Sequence, residues 1–193
     1  MIWMNSIYKN AIAAAFMKVC TNKNMADITT NDITEACGIS RQTFYNYFPD
    51  KYAVVSYLFD VAAQRITEPL SSGMGTVYST IHAMLENVQN NRSYYQSIAR
   101  FQGQNSFEDY FCAYSIAYYA HLIKKYHGED ALTPAIQFEI EFNCYAVTKI
   151  FIQWILNGAK DPTEQLAKKM TDAMPSRMKT LLSIDEAAPG LQS

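Results

Sequence analysis

The feature that most constrains the fold of this chain is a pair of short helical segments hinged at Gly38. Thr29 and Thr30 can cap the first segment, and Asp32 puts an acid in its first turn, where the helix dipole favours negative charge. Ile33, Ala36 and Cys37 form its inner side. A glycine directly after such a run supplies the positive φ that ends a helix. Ser40 then caps a second segment, Arg41 to Phe48, which Pro49 stops. Two short helices joined by a turn of about three residues, with glycine at its start, make a helix-turn-helix. Ile33, Ala36, Cys37, Ile39, Phe44 and Phe48 are expected to close its small core, with Phe44 and Phe48, four apart, on the inner side of the second helix.

The rest of the chain reads as helix almost throughout. Hydrophobic residues make up 49% and charged residues 18%, a globular composition, and only 7 Gly and 6 Pro interrupt it. Ile7, Ala11, Ala15 and Val19 recur every four residues from Ser6 to Thr21, with Ile12 and Phe16 beside them, and predict the inner side of a first helix. Asp50 can cap a long helix from Lys51 to about Thr67, and the stretch from Pro69 to Gly75 marks a boundary. Further helices are expected over Val77–Asn90, Ser93–Gln102, Phe107–Tyr126, Ala135–Leu156 and Thr163 to about Leu182. The chain is thus expected to be all-α, with about nine helices. Residues 1–52 would form a three-helix, helix-turn-helix domain, residues 53–183 a second helical domain, and residues 184–193 a flexible tail.

Several classes of function are disfavoured. The longest unbroken apolar run, Ala11 to Met17, is far short of the roughly 20 residues a membrane span needs. The start has neither the basic flank nor the long apolar stretch of a signal peptide. Cys20, Cys37, Cys112 and Cys144 are widely spaced and have no histidine at metal-ligand spacing, so they read as reduced thiols of a cytoplasmic protein without a metal or cofactor. His82, His121 and His127 have no nucleophile or acid in context, and no phosphate-binding glycine loop is present, so no enzyme is expected. The net charge of -2 argues against a polycation that coats nucleic acid. Through Tyr52, Lys9, Lys18, Lys23, Arg41 and Lys51 stand against Asp27, Asp32, Glu35 and Asp50, so any DNA contact must rest on a few well-placed groups.

The outer side of the second short helix offers such groups. Arg41, Gln42, Thr43, Tyr45, Asn46 and Tyr47 are almost all hydrogen-bonding or cationic, where a merely solvated surface more often carries Lys and Glu. Arginine pairs bidentately with guanine, and Gln42 or Asn46 can pair with adenine in a major groove. The Thr43 hydroxyl and the Tyr47 phenol can donate to phosphate oxygens and fix register. Tyr45 can lie against a thymine methyl or reach a phosphate. Thr30 and Lys51 each begin a helix, where backbone N–H groups favour an anion. The alternative for this segment is an ordinary surface helix.

The run from Cys37 through Gly38, Arg41-Gln42-Thr43-Phe44-Tyr45-Asn46-Tyr47-Phe48 and Pro49-Asp50-Lys51 resembles the signature of the TetR family of bacterial regulators. The resemblance extends back to Asp32-Ile33 and the alanine-rich first helix, about the first quarter of the chain. It implies double-stranded DNA contacts by Thr30, Asn31, Arg41, Gln42, Thr43, Tyr45, Asn46, Tyr47 and Lys51. Many members carry a basic residue near Asn31 and Asp32, and this chain does not. Trp154-Ile155-Leu156-Asn157-Gly158 and Asp161-Pro162-Thr163-Glu164 are similar to a subgroup that includes regulators of dihydroxyacetone utilisation.

The resemblance also implies a C-terminal domain that binds a small effector and dimerises. Tyr94, Arg100, Phe111, Tyr114, Tyr118 and His121 are its candidate effector contacts, the alternatives being core packing for the aromatics and local structure for Arg100 and His121. In the helix Ala135–Leu156, Ile136, Ile140, Tyr145, Ile152 and Ile155 lie on different sides from Phe142, Ala146 and Ile150. A helix apolar on two sides needs two partners. One would be the domain core. The other would be a second subunit, with the last helix (Leu166, Met170, Met174, Met178, Leu181) completing an intersubunit four-helix bundle. The alternative is that both sides pack within one subunit. The expectation is therefore a homodimeric repressor on a pseudo-palindromic operator, released by an unidentified small molecule. Control by a protein partner, or activation, would use the same DNA contacts.

Overall fold

The computed structural model describes residues 2–103 and 105–183, and the expected tail, 184–193, lies outside the described residues. Every regular element among the described residues is helical, as expected: α1 (Ile2–Cys20), α2 (Thr30–Cys37), α3 (Arg41–Tyr45), α4 (Lys51–Ser71), α5 (Val77–Asn90), α6 (Arg92–Ala99), α7 (Phe107–His127), α8 (Pro134–Leu156), α9 (Thr163–Asp172) and α10 (Ser176–Leu182). Single 3-10 turns cover Met25–Asp27 and Glu129–Ala131.

Several boundaries differ from the sequence reading, and two of the differences have a clear local cause. The helix expected over Thr163–Leu182 is broken into α9 and α10, because Pro175 has no N–H for the helical ladder and disfavours helical backbone at Met174. Conversely, α4 runs through Pro69 to Ser71, where the Ser71 and Ser72 hydroxyls donate to the Thr67 and Glu68 carbonyls.

The helices group into two compact units. One comprises the chain through Ala63 together with Asn91–Phe107, so α6 belongs with the helix-turn-helix although it follows α5 in sequence. Its core joins Ile12, Phe16 and Cys20 of α1 with Ile33, Phe44, Phe48 and Val54, and with Tyr94 and Ile98 of α6. The Tyr94 ring meets Phe16 edge-on with centroids 6.2 Å apart, and the Ser97 hydroxyl donates to the Lys23 carbonyl at 2.9 Å. The buried stripe of α1 is rotated from the one expected, since Ile7 and Ala11 are exposed while Ile12, Phe16 and Cys20 point inward. Of the residues expected inside, Ile12, Ala15 and Phe16 are buried, and Ile12 and Phe16 remove the most apolar area from water.

The other unit comprises Gln64–Asn90 and the chain from Glu108. In it α5 packs along α9, with Leu85, Val88, Ala167 and Met170 buried. The Phe111 ring of α7 lies tilted against that of Phe151 of α8, centroids 4.7 Å apart, and Lys149 pairs with Glu108 at 2.9 Å. Arg177 of α10 pairs with Glu139 of α8. Ile136, Ile140, Ile152 and Ile155 are buried, but the opposite side of α8 is open: Phe138 is 67%, Phe142 63% and Ile150 49% exposed. Tyr145, grouped in the sequence with Ile136, Ile140, Ile152 and Ile155, is 62% exposed while those four are buried. Met170, Met174 and Met178 are buried within the single chain, not held out for a partner.

Candidate DNA interface

Local chemistry fixes the helix-turn-helix in detail. Thr29 and Asp32 form a capping box at the start of α2: the Asp32 N–H donates to the Thr29 hydroxyl at 3.2 Å, and the Thr29 N–H donates to the Asp32 carboxylate at 2.8 Å. Lys23 adds an ion pair at 2.6 Å, and these donors hold the Asp32 carboxyl down at about 2. At the other end Gly38 has φ +70°, and its N–H and that of Ile39 donate back to the Glu35 and Thr34 carbonyls. Ser40 caps α3 by accepting the Thr43 N–H at 3.0 Å. Phe44 is fully buried and its ring lies 6.1 Å from Phe48. The expected core needs one correction. Ala36 is exposed, and Thr34 takes an inner position, its hydroxyl satisfied by the Asn31 carbonyl at 3.0 Å.

Anchored in this way, α3 turns Arg41, Gln42, Tyr45 and Asn46 to the surface. The Gln42 amide donates to Asn46 at 3.4 Å, pairing the two groups suited to adenine. The Tyr45 phenol lies 3.4 Å from the Thr30 hydroxyl, joining the first residue of α2 to α3. Hydrogen bonds from Thr30 and then Arg41 lower the Tyr45 pKa. Thr43 is half-buried, its hydroxyl 2.9 Å from that of Ser40, and the Asn31 amide donates to Glu35 at 2.6 Å. Tyr47 is half-buried and stacks on Tyr8 of α1 with centroids 5.1 Å apart. Tyr8 was missed in the sequence reading. The signal was there: Tyr8, Ile12, Phe16 and Cys20 form an every-fourth series that competes with the one starting at Ile7.

Lys51 points elsewhere. Its ammonium donates to three backbone carbonyls of the segment before α2: Met25 at 2.7 Å, Ala26 at 3.1 Å and Ile28 at 2.7 Å. Burial lowers its pKa, against the pull of Asp27 and Asp32.

Residues 12–58 match the family described as bacterial regulatory proteins, tetR family, and residues 75–176, more than half of the chain, match its transcriptional regulator C-terminal region. The chain belongs to the TetR family. Among relatives of this TetR-family regulator, EthR of Mycolicibacterium smegmatis is 42% identical over 55 residues, 28% of this chain and 25% of the relative. EthR of Mycobacterium tuberculosis is 44% identical over 50 residues, 26% of this chain and 23% of the relative. The chain thus spans about a quarter of the length of these EthR relatives in the match. The dhaKLM operon transcriptional activator DhaS of Lactococcus lactis is 24% identical over 183 residues, 90% of this chain and 91% of the relative. A solved structure of a dihydroxyacetone kinase operon activator DhaS superposes with a TM-score of 0.64 at 21% identity, covering 90% of this chain and 97% of that one, a likeness of fold. It is in keeping with the subgroup resemblance around Trp154–Glu164.

The six residues expected around an effector divide between the units of this TetR-family chain. Tyr94 and Arg100 belong to the first. Tyr94 is buried against Phe16 and Tyr95, and Arg100 is exposed and donates to Asn24 at 3.1 Å. Phe111, Tyr114, Tyr118 and His121 lie on α7 in the second. Tyr114 and Tyr118 stack at 6.1 Å, and the Tyr118 phenol donates to the Thr67 carbonyl at 3.0 Å. His121 is exposed.

Proposed function

We propose that this transcriptional regulator is a homodimeric repressor that reads a pseudo-palindromic operator with α3 and leaves it when a small effector binds. The observation that carries the reading is the outward row Arg41, Gln42, Tyr45 and Asn46 set around the buried Phe44. Arg41 would take a guanine, and the Gln42–Asn46 pair an adenine. Thr30, Asn31, Thr43, Tyr45 and Tyr47 would hold phosphates and fix register. The protein acts in the cytoplasm by binding and not by catalysis. In support, the family that the chain matches is one of bacterial regulatory proteins.

The open side of α8, with Phe138, Phe142, Tyr145 and Ile150, supports a second copy of the chain as partner. Two copies would place the recognition helices on half-sites about 34–36 Å apart, or a multiple of that. For the effector we retain the α7 group Phe111, Tyr114, Tyr118 and His121, and give Tyr94 and Arg100 roles in holding α6. One observation favours activation in place of repression: DhaS, the relative matched nearly end to end, is an activator by name.

Fluorescence anisotropy with the DNA upstream of the protein's own gene tests the reading. The wild type is expected to prefer that DNA over a scrambled sequence. Arg41→Ala should cost about 1–3 kcal/mol and relax preference at one base pair. Equal, sequence-blind binding by the wild type and Tyr47→Ala would remove the proposal. A promoter fusion that rises or falls with the protein distinguishes activation from repression.

A further inference from the structure

The Lys51 ammonium is held by three backbone carbonyls of the protein itself. An ammonium has three donors, and three carbonyls of one segment, Met25, Ala26 and Ile28, receive them at 2.7, 3.1 and 2.7 Å. The acceptors converge because the Met25–Asp27 turn and the extended Ile28 (φ -73°, ψ 128°) bend the backbone around one point. Met25 and Ile28 are themselves buried, so the backbone between them is anchored from both sides. Lys51 is fixed in turn: it opens α4 directly after Asp50, whose carboxylate accepts the Ala53 N–H at 2.8 Å. The cradled segment runs directly into Thr29 and Thr30, and the Thr30 hydroxyl lies 3.4 Å from the Tyr45 phenol on α3.

We propose that Lys51 is a positioning residue for DNA recognition and not a phosphate contact. It locks the Met25–Ile28 segment and so sets Thr30 and, through it, Tyr45 against the DNA. The inference rests on the DNA reading above and departs from it at this residue. A cation without a spare donor offers a phosphate no hydrogen bond, while a segment one residue from the Thr29 cap transmits any loosening directly into the interface. Among the other cations of the first unit, Lys23 is paired with Asp32 and Lys9 lies 5.7 Å from the centres of the Phe48 and Tyr57 rings.

The test is the salt dependence of operator binding by the full-length wild type, Lys51→Met and Lys51→Arg, each below its own Tm. Lost sequence preference by the wild type would sink the DNA reading, and with it this inference, so the remaining outcomes are read only once that preference is seen. Positioning predicts that Lys51→Met weakens binding about tenfold, the worth of one charge-assisted hydrogen bond, with the slope of log K against log salt unchanged. It predicts that arginine does not rescue, since a planar guanidinium cannot aim donors at three carbonyls around one point. It also predicts that the Lys51→Met loss shrinks in a Thr30→Ala background, because the two act through one segment. A phosphate contact would instead lower the slope by about 0.9 and be rescued by arginine. Wild-type affinity and slope in both variants, with only Tm reduced, would equally overturn the inference by making Lys51 a staple of the fold alone. So would an undiminished Lys51→Met loss when Thr30 is already alanine.

Discussion

Asp32 shows how much of the interface is held by one side chain. Its carboxylate accepts from Lys23 and from the N–H and hydroxyl of Thr29, and these donors take its pKa from 3.8 to about 2. A carboxyl whose folded pKa is depressed stabilises the fold above its unfolded value and loses that contribution as pH falls through the folded one. The wild type is therefore expected to exceed Asp32→Asn in Tm by a constant margin above about pH 4, a margin that closes as the pH approaches about 2. A pH series of thermal melts on both proteins checks it. The substitution should cost about 1 kcal/mol at neutral pH, the usual worth of a helix cap. Sequence reading placed an acid in the first turn of α2 and thereby found this residue. It did not find the hold of the Lys51 ammonium on the Met25, Ala26 and Ile28 carbonyls, because a four-carbon stem reaching back over twenty residues leaves no local pattern. Thr34 escaped it for a related reason: a hydroxyl that bonds its own helix three residues back can be buried as cheaply as an alanine.

At the scale of elements, α8 is the clearest case of a helix whose sequence says more than one subunit can use. The inner isoleucines were legible because branched apolar residues recur at helical spacing. Of the outer set, Phe142 and Ile150 were legible as well; Phe138 was not singled out, and Tyr145 was grouped with the isoleucines because its amphipathic ring suits either side. Phe142→Glu places a charge at the centre of the open stripe without touching the buried one. Sedimentation velocity is expected to show a monomer where the wild type sediments as a dimer, with helical content by circular dichroism unchanged. A dimer that persists in Phe142→Glu would move the partner surface off α8. The broken last helix was less legible: proline tells where a helix stops, but the turn between α9 and α10 is set by the burial of Met174 and Met178 on either side.

For the whole molecule, the division of the chain was the least visible property in the sequence. A boundary after residue 52 follows from motif length, and the compact unit instead runs through Ala63 and recruits Asn91–Phe107. Contacts such as Tyr94 on Phe16 and Ser97 on the Lys23 carbonyl join segments more than seventy residues apart, beyond any periodicity. A fragment ending at residue 63 therefore lacks part of its own core. It is expected to melt without a cooperative transition, where a chain in which residues 1–63 are joined by a short flexible linker to residues 91–107 melts cooperatively. Calorimetry on the two distinguishes them, and a sharp transition in the shorter fragment would mean that α6 is dispensable.

The interleaving bears on how DNA specificity can be exchanged between regulators of this kind. A graft that moves only the N-terminal stretch carries a reading surface away from one wall of its own core, and the recipient's α6 must then fit a foreign α1. In this chain the heritable unit of specificity is two segments separated by a helix that belongs to the other unit. Recombination at a single point cannot transfer it without also carrying residues 64–90 of the other unit, so operator preference should change by substitution along α3 far more readily than by the trading of whole heads.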